Sequence, residues 1–290
     1  MTVVAPAEVR GLWQLTEPVH AVAYFAPEVV AADRRLGLEG FWMGYFSGRA
    51  APMGAVEAPV VTATFFNFAP WMVERALPDA WAIASPTEVL ATRFEGVDGA
   101  LRARLANQLG SAELREAAAL AGAAREACDT VGRPLAAAWA GVDPPDEPHL
   151  ALWCALSALR EHRGDGHVTA LVAEGLDGCE VHPLLVAAGG STRELQQRAR
   201  GWNDDEWDAA VERLAARGWL DRDGGLTALG RERRDAIEAT TDRLATGPWT
   251  ALGPDRLARF TAAMAPLSGA VTSSDLIPYP NPMGLPPRSP

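Results

Sequence analysis

The chain has 290 residues and a mass of 30.8 kDa, which is enough for one large domain or two ordinary ones. Hydrophobic residues make up 48% of it and charged residues 22%, which excludes a chain that is disordered throughout. Its 37 acidic residues outnumber its 26 basic residues, all arginine, and the formal charge is −11. This balance argues against non-specific binding to a phosphate backbone, since proteins that bind in that way are basic at least locally.

The cysteines and the chain ends indicate a cytoplasmic protein. Cys128, Cys154 and Cys179 are scattered and form no CxxC pair, which is typical of reduced thiols. No basic segment followed by an apolar one opens the chain, and no stretch approaches the about 20 apolar residues of a membrane span. We therefore expect no signal peptide and no membrane partner.

In chain order, the first clear elements are two apolar helices on either side of a proline-rich segment. Residues 112–128 are alanine-rich with charges on one face, and residues 150–162 form a second apolar helix. Three prolines lie within the five positions from Pro144 to Pro148, where they cannot continue a helix. This segment is the predicted domain boundary.

The region from Ser191 to Leu244 has the most distinctive pattern. Its predicted elements are a helix opening at 192–195 with Ser191 as its cap, a break at 201–203, a helix over 204–217, a β-hairpin around Asp223-Gly224-Gly225, and a helix over 231–244. That order is the order of a winged helix-turn-helix. The segment GWLDRDGGLTALGRERRDAI resembles the wing and following helix of MarR-type regulators.

Similar segments recur at an offset near 138 residues. Gly37-Leu38-Glu39-Gly40 matches Gly175-Leu176-Asp177-Gly178, and Val73-Glu74-Arg75 matches Val211-Glu212-Arg213. The ordered matches favour a duplicated winged-helix unit, and the alternative is chance matching in an alanine-rich helical sequence.

The predicted fold is therefore mainly α, with two tandem winged-helix-like repeats packed as a pseudo-dimer and carrying small β-hairpin wings. The predicted divisions are a first repeat with a helical extension (1–142), a linker (143–149), a second repeat (150–271) and a proline-rich tail (272–290). The tail has six prolines in its last 13 residues, which predicts an extended strap or a disordered end.

The candidate recognition helix is acidic where DNA would lie. A helix-turn-helix places the amino-terminus of its second helix in the major groove. Four carboxylates occupy the five positions 204–208, where they favour capping and the helix dipole rather than phosphate contacts. The pattern thus favours a scaffold over a DNA reader, and a MarR-like DNA-binding regulator is kept as the alternative.

Two polar, glycine-bearing segments, 42–54 and 160–167, are candidate functional segments. The chain as a whole resembles an actinobacterial family of helix-turn-helix proteins in which segments such as GRAAPMG and HRGDGH recur. That family has no assigned activity, so the resemblance implies only that these segments matter.

Three residues form a candidate acid–base set: His20, His167 and Asp165. The two histidines lie 147 residues apart, and we expect each to begin a short apolar helix and to face one cavity, with Asp165 or Glu161 as orienter. The alternatives are hydrogen-bonded core histidines and, for Asp165, the N-cap of a helix that follows a tight turn at 163–167.

Arginines and aromatic residues complete the predicted site. Arg49 and Arg163 are candidate anion clamps, and for Arg49 an ion pair that joins the two halves is equally favoured. Tyr24, Tyr45, Trp42 and Trp71 are candidate walls for a flat ligand, although an aromatic core also explains them. MarR-type dimers hold aromatic effectors between their dimerisation and winged regions, and the resemblance implies such a site between the halves.

The predicted function is binding of a small hydrophobic or aromatic, possibly anionic, molecule between the repeats, as sequestration, sensing or cofactor-free acid–base catalysis. No zinc spacing, P-loop, dinucleotide fingerprint or G-x-S-x-G elbow occurs, so we expect no metal and no cofactor. A third class, a partner-docking protein that uses the tail, stays open. The pattern does not indicate an oligomeric state.

Overall fold

A computed structural model describes residues 4–287. Residues 1–3 and 288–290, at the outer ends of the first predicted repeat and of the predicted tail, lie outside the described residues. The helices are α1 (Pro6–His20), α2 (Val22–Phe25), α3 (Pro27–Leu36), α4 (Gly40–Ala50), α5 (Ala58–Phe65), α6 (Pro70–Glu74), α7 (Asp79–Ile83), α8 (Pro86–Arg104), α9 (Ala112–Glu126), α10 (Pro134–Ala140), α11 (Pro148–Ala173), α12 (Val181–Ala187), α13 (Arg193–Arg200), α14 (Asp204–Ala216), α15 (Ala228–Leu244), α16 (Thr246–Leu252) and α17 (Pro254–Thr272). A short 3-10 helix, Ala51–Met53, follows α4. Within the described range, none of these helices has the length and hydropathy needed to cross a membrane.

The helix-turn-helix region has the predicted helices but not the predicted wing. α14 begins after Asn203, whose side chain forms a capping box with Glu206, as the acidic start of this helix predicts. Thr192 rather than Ser191 caps α13. Over residues 4–287 there is no strand, and a single antiparallel bridge between Leu220 and Leu226 stands where a hairpin was predicted.

The segment from Leu220 to Leu226 forms a single bridge and no longer hairpin, because local hydrogen bonds fold it into a tight turn that leads directly into α15. The carboxylate of Asp221 accepts the backbone N–H groups of Asp223 and Gly225. Two residues after Gly225, Thr227 already caps α15 by accepting the N–H of Gly230. No residues are left to extend the bridge into a ladder.

The predicted tight turn at 163–167 was wrong, because α11 continues through it. Gly166 packs against other elements: a Cβ there would lie 2.8 Å from a guanidinium nitrogen of Arg133 and 3.2 Å from the Cβ of Leu244. The glycine permits close packing inside a helix. Asp165 is therefore not an N-cap and His167 does not begin a helix, while His20 is the last residue of α1.

Three hydrophobic cores organise the described residues. The largest, here called the body, joins residues of α1, α2, α8, α9, α11, α16 and α17, and so includes elements on both sides of the predicted linker. A second core fills residues 38–89, the first lobe, with Leu135 added from α10. A third fills residues 170–237, the second lobe. Each predicted repeat thus contributes one lobe, while the division into two repeats stays a prediction.

The two lobes contact each other through their turns. The indole of Trp71 donates to the carbonyl oxygen of Gly201 at 2.8 Å, and the indole of Trp202 donates to the carbonyl oxygen of Asn67 at 3.2 Å. Between them, the N–H of Ala69 donates to the carbonyl oxygen of Arg200 at 2.8 Å. These three hydrogen bonds fix the turn of the first lobe against the turn of the second lobe.

The predicted tail began at Thr272, which is the last residue of α17, and residues 273–287 after it form a strap. Ile277 and Leu285 are buried in the core of the body. The side chain of Asn281, fully buried, accepts the N–H of Leu285 and donates to the carbonyl oxygen of the same residue. The carbonyl oxygen of Pro282 accepts from Arg200 and Gln196 of α13, so the strap ties the second lobe to the body.

Candidate functional site

A cavity of about 430 Å³ lies where the two lobes, the body and the strap meet. Its wall comes from α1, α4, α5, the turn at 66–68, α10, α11, α12, α13, α15 and residues 282–286 of the strap. The volume lies within the range of about 300–1,000 Å³ that is typical of small-molecule sites. The wall contains six arginines: Arg10, Arg49, Arg160, Arg163, Arg200 and Arg234.

The first charged group beside the cavity is the Glu161 network, which consists of Arg49, Arg160, Glu161 and Glu17. Arg49 on α4 donates two hydrogen bonds, of 2.9 and 2.8 Å, to the two carboxylate oxygens of Glu161 on α11. Arg160 donates to both oxygens as well and lies 3.7 Å from Glu17 on α1. Arg49 therefore forms the ion pair that was one of its two predicted roles, and the pair joins the first lobe to the body.

The protonation states of this network follow from its depth. Burial raises the pKa of Glu161, but Arg160 and Arg49 lower it more. The carboxylate therefore stays ionised even at pH values well below the usual pKa of a glutamate. Burial also raises the pKa of Glu17, and Arg160 offsets that shift only in part. For Arg49, burial lowers the pKa while Glu161 raises it further, so the guanidinium stays charged.

The second charged group is the Asp242 network, which consists of Arg10, Arg163, Glu238 and Asp242. Arg163 on α11 and Arg10 on α1 each reach a different oxygen of Asp242 at 2.7 Å. Both also lie within 3.7 Å of Glu238. Asp242 is 2% exposed, and the network ties α15 to α1 and α11. The predicted clamp Arg163 is thus already occupied by carboxylates.

Arg200, at the end of α13, is the buried arginine of the wall without a carboxylate partner among the described residues. Its two terminal nitrogens donate to the carbonyl oxygens of Pro282 at 3.0 Å and Ala199 at 3.4 Å, and its Nε has no hydrogen-bond partner. The guanidinium lies over the ring of Phe68, with its carbon 4.6 Å from the ring centroid. Burial lowers the pKa of Arg200 to about 10, and the nearby Arg49 and Arg160 also lower it.

Two of the three predicted acid–base residues reach the cavity wall, Asp165 and His167. Asp165 accepts the backbone N–H of Ala136 at 2.9 Å. Burial, with a contribution from Glu161, raises the pKa of Asp165 to about 6. His167 has its Nδ1 2.9 Å from the hydroxyl of Thr241, and burial lowers the pKa of this histidine.

The third, His20, does not line the cavity. It is 2% exposed, its ring stacks on Trp153 with centroids 5.9 Å apart, and its Nδ1 has no hydrogen-bond partner. Burial lowers its pKa well below the usual range, and Arg160 contributes to that shift. The two histidines therefore do not face one cavity as predicted: His167 lines the cavity wall, and His20 is buried in the core.

Of the four predicted aromatic walls, Tyr45 lines the cavity and the others do not. Tyr24 is buried behind it, and burial raises its pKa to about 12. Trp42 packs against Phe46 and Phe68 in the core of the first lobe. Trp71, 48% exposed, belongs to the contact between the lobes. For Trp42, the aromatic-core alternative holds.

Sequence reasoning missed Arg200, Glu17, Trp13 and Phe68, all of which line the cavity. Arg200 lies in RELQQRAR, where three arginines share one short helix and no local feature marks the buried one. Glu17 and Trp13 stand four residues apart on α1 and are joined by a 3.0 Å hydrogen bond. An i, i+4 pair of this kind was the one signal available in the sequence. Among the described residues, no group of three or more histidine, cysteine or acidic side chains could hold a metal ion.

The Glu161 network gives a stability prediction. Replacing Glu161 with Gln leaves the buried Arg49 without a carboxylate within ion-pair distance and the half-buried Arg160 with Glu17 alone, so we expect the free energy of unfolding to fall by about 3–5 kcal/mol. Chemical denaturation with urea measures this change.

The matched control is Glu116→Gln, which breaks the surface pair with Arg259. Because exposed pairs contribute about 0–1 kcal/mol, this control should lie close to the parent protein. Equal losses in the two variants would contradict a special role for the Glu161 network.

Comparisons with known proteins give one match. A helix-turn-helix family matches residues 9–278, which is nearly the whole chain. None of the curated proteins and none of the solved structures compared with the chain shows a significant match. The protein therefore belongs to this helix-turn-helix family.

Proposed function

We propose that the cavity binds a small organic anion, with Arg200 holding its charged group. The observation that carries the proposal is a buried guanidinium in a cavity wall without a carboxylate within ion-pair distance among the described residues. A charge in such a place is costly unless it is paired. A carboxylate, sulfonate or phosphate group from a ligand supplies the missing partner, and a guanidinium fork suits each of them.

The balance of charge around the cavity supports this assignment. The Glu161 network holds two arginines and two carboxylates, and so does the Asp242 network. The arginines of both networks are therefore matched by the protein itself. Arg200 belongs to neither network, which leaves its charge for a ligand.

The wall around Arg200 suits an apolar ligand body. Tyr45 and Phe68 line the cavity beside it, with ring centroids 5.5 Å apart. Leu171 and Ile237 line the wall contributed by the second lobe. Aromatic and aliphatic walls with a few placed polar groups are the usual construction of small-molecule sites.

The proposal is binding, and it does not include a reaction. Asp165 and His167 reach the wall, whereas His20 lies behind it and completes no acid–base set there. The acid–base role predicted for these three residues stays a prediction.

Replacing Arg200 with Met tests the proposal. We expect binding of naphthalene-2-sulfonate, measured by titration calorimetry, to weaken at least about tenfold, because a charged hydrogen bond contributes about 1.5–3 kcal/mol. We also expect the free energy of unfolding not to fall, because the substitution removes a buried charge that has no carboxylate partner, while Gln196 still donates to the carbonyl oxygen of Pro282.

Arg198→Met is the matched control, since Arg198 is exposed on the same short helix and does not line the cavity. It should leave sulfonate binding unchanged. Native mass spectrometry of the unmodified protein should in addition detect a small acidic molecule that the Arg200→Met variant loses. Absence of both the co-purified molecule and sulfonate binding would remove the proposal.

The pKa of Asp165 gives a pH prediction. This carboxyl titrates near 6, and above that pH it places a negative charge in the wall. Because naphthalene-2-sulfonate stays ionised, its affinity should rise as the pH falls from 8 to 5. Glu161 stays ionised and the pKa of His167 is lowered, so neither is the expected source of the change. Burial also raises the pKa of Glu17 in the same wall, so the Asp165→Asn variant is needed to separate the contributions of the two carboxyls. Asp165→Asn should flatten the profile, and a profile that is the same in both proteins would contradict this assignment.

DNA binding is the second candidate function, and membership of a helix-turn-helix family favours it. Against it stand the carboxylates in the first turn of α14: Asp204, Asp205 and Glu206. Asp204 is 81% exposed and pairs with Arg193, so this arginine is not free for a phosphate. Residues 151–250 hold 12 arginines and 17 acidic residues, a net charge of −5.

A mobility-shift assay against genomic fragments at low salt separates the two candidates. We expect no shift at micromolar protein, because the candidate recognition helix presents carboxylates where phosphates would lie. A shift that fades as salt rises would instead support a regulator that binds DNA.

A further inference from the structure

We infer that the ligand of this cavity carries two anionic groups, and that Arg234 on α15 holds the second one. The inference rests on the proposed function and adds the ligand's class, an organic dianion whose two charges are separated by an apolar body. Dicarboxylates and molecules that join a carboxylate to a phosphate or sulfonate share this chemistry.

Arg234 is the second arginine of the wall that the protein leaves unmatched. Of the six wall arginines, four belong to the two balanced networks, and Arg200 and Arg234 do not. Within the described range, no carboxylate lies within 4.0 Å of the Arg234 side chain, and no protein group accepts a hydrogen bond from it. Glu238, one turn further along α15, is directed to Arg10 and Arg163 instead.

The two unmatched guanidinium groups lie in different parts of the wall. Arg200 lies over the ring of Phe68 in the first lobe and donates to the carbonyl oxygen of Pro282 in the strap. Arg234 lies near His167, whose pKa it lowers, and it is half-buried whereas Arg200 is buried. Arg234 therefore lies on the second-lobe side of the cavity and is more exposed than Arg200.

Apolar side chains line the second-lobe wall of the cavity. Leu171 from α11, Leu184 from α12 and Ile237 from α15 all line it. A ligand with a rigid apolar body fits such a wall, and its charged ends are placed by the two arginines. The wall carboxylate that opposes an anion is Asp165, since Glu17 and Glu238 are held in the two networks.

Two probes that share one ring system test the inference: naphthalene-2-sulfonate and naphthalene-2,6-disulfonate. In the unmodified protein at 0.15 M salt, which screens long-range attraction, we expect the disulfonate to bind at least about tenfold more tightly. In Arg234→Gln, that advantage should fall to about twofold or less, and binding of the monosulfonate should stay within about twofold of the unmodified protein.

Arg243→Gln is the matched control, because Arg243 is exposed on the same helix and does not line the cavity. Equal affinities of the two probes in the unmodified protein would overturn the inference and leave the proposed function standing. An Arg234→Gln variant that weakens both probes equally would also overturn it, since Arg234 would then act as a general positive charge. Failure of both probes to bind would remove the proposed function together with the inference.

Discussion

The buried carboxylate of Glu161 is the constraint on which the arrangement of the lobes and the body depends. It is 1% exposed and stays ionised because Arg49 and Arg160 surround it. A charge at that depth requires its partners in one geometry, so α4 of the first lobe, α11 and α1 with Glu17 must meet at this point. The cavity forms beside this junction. Its wall is polar, yet most of its charges are already satisfied within the protein.

The elements that the sequence predicted well are those whose ends are determined locally. α14 starts after Asn203 because this cap residue and Glu206 are three residues apart, a pattern readable without the rest of the chain. The turn predicted around Gly166 was wrong, because glycine favours turns only as a local preference. In the structure, the missing side chain of Gly166 lets Arg133 and Leu244 pack closely against α11. Those partners lie far along the chain, so the sequence near residue 166 does not contain them.

The site residues were predicted incompletely for the same reason: their partners lie far away in the sequence. Arg49 was recognisable as an arginine with little bulk around it, but its partner is 112 residues away, which left an anion clamp and an ion pair equally favoured. Arg200 carries no distinguishing local signal, since Arg198 stands two positions earlier on the same helix. What separates the two is burial, which depends on the first lobe and the strap packing over the end of α13.

The contact between the lobes occupies the region around the turn of the helix-turn-helix unit. A reader keeps the region around its turn free for the major groove. Here Trp71 and Trp202 each bind a backbone carbonyl group of the opposite lobe, and Gly201 packs against Met72. Carboxylates dominate the start of α14, while Arg200 faces inward. The charge is therefore unevenly distributed: carboxylates cap helix ends such as the start of α14 at the surface, and six arginines line the cavity.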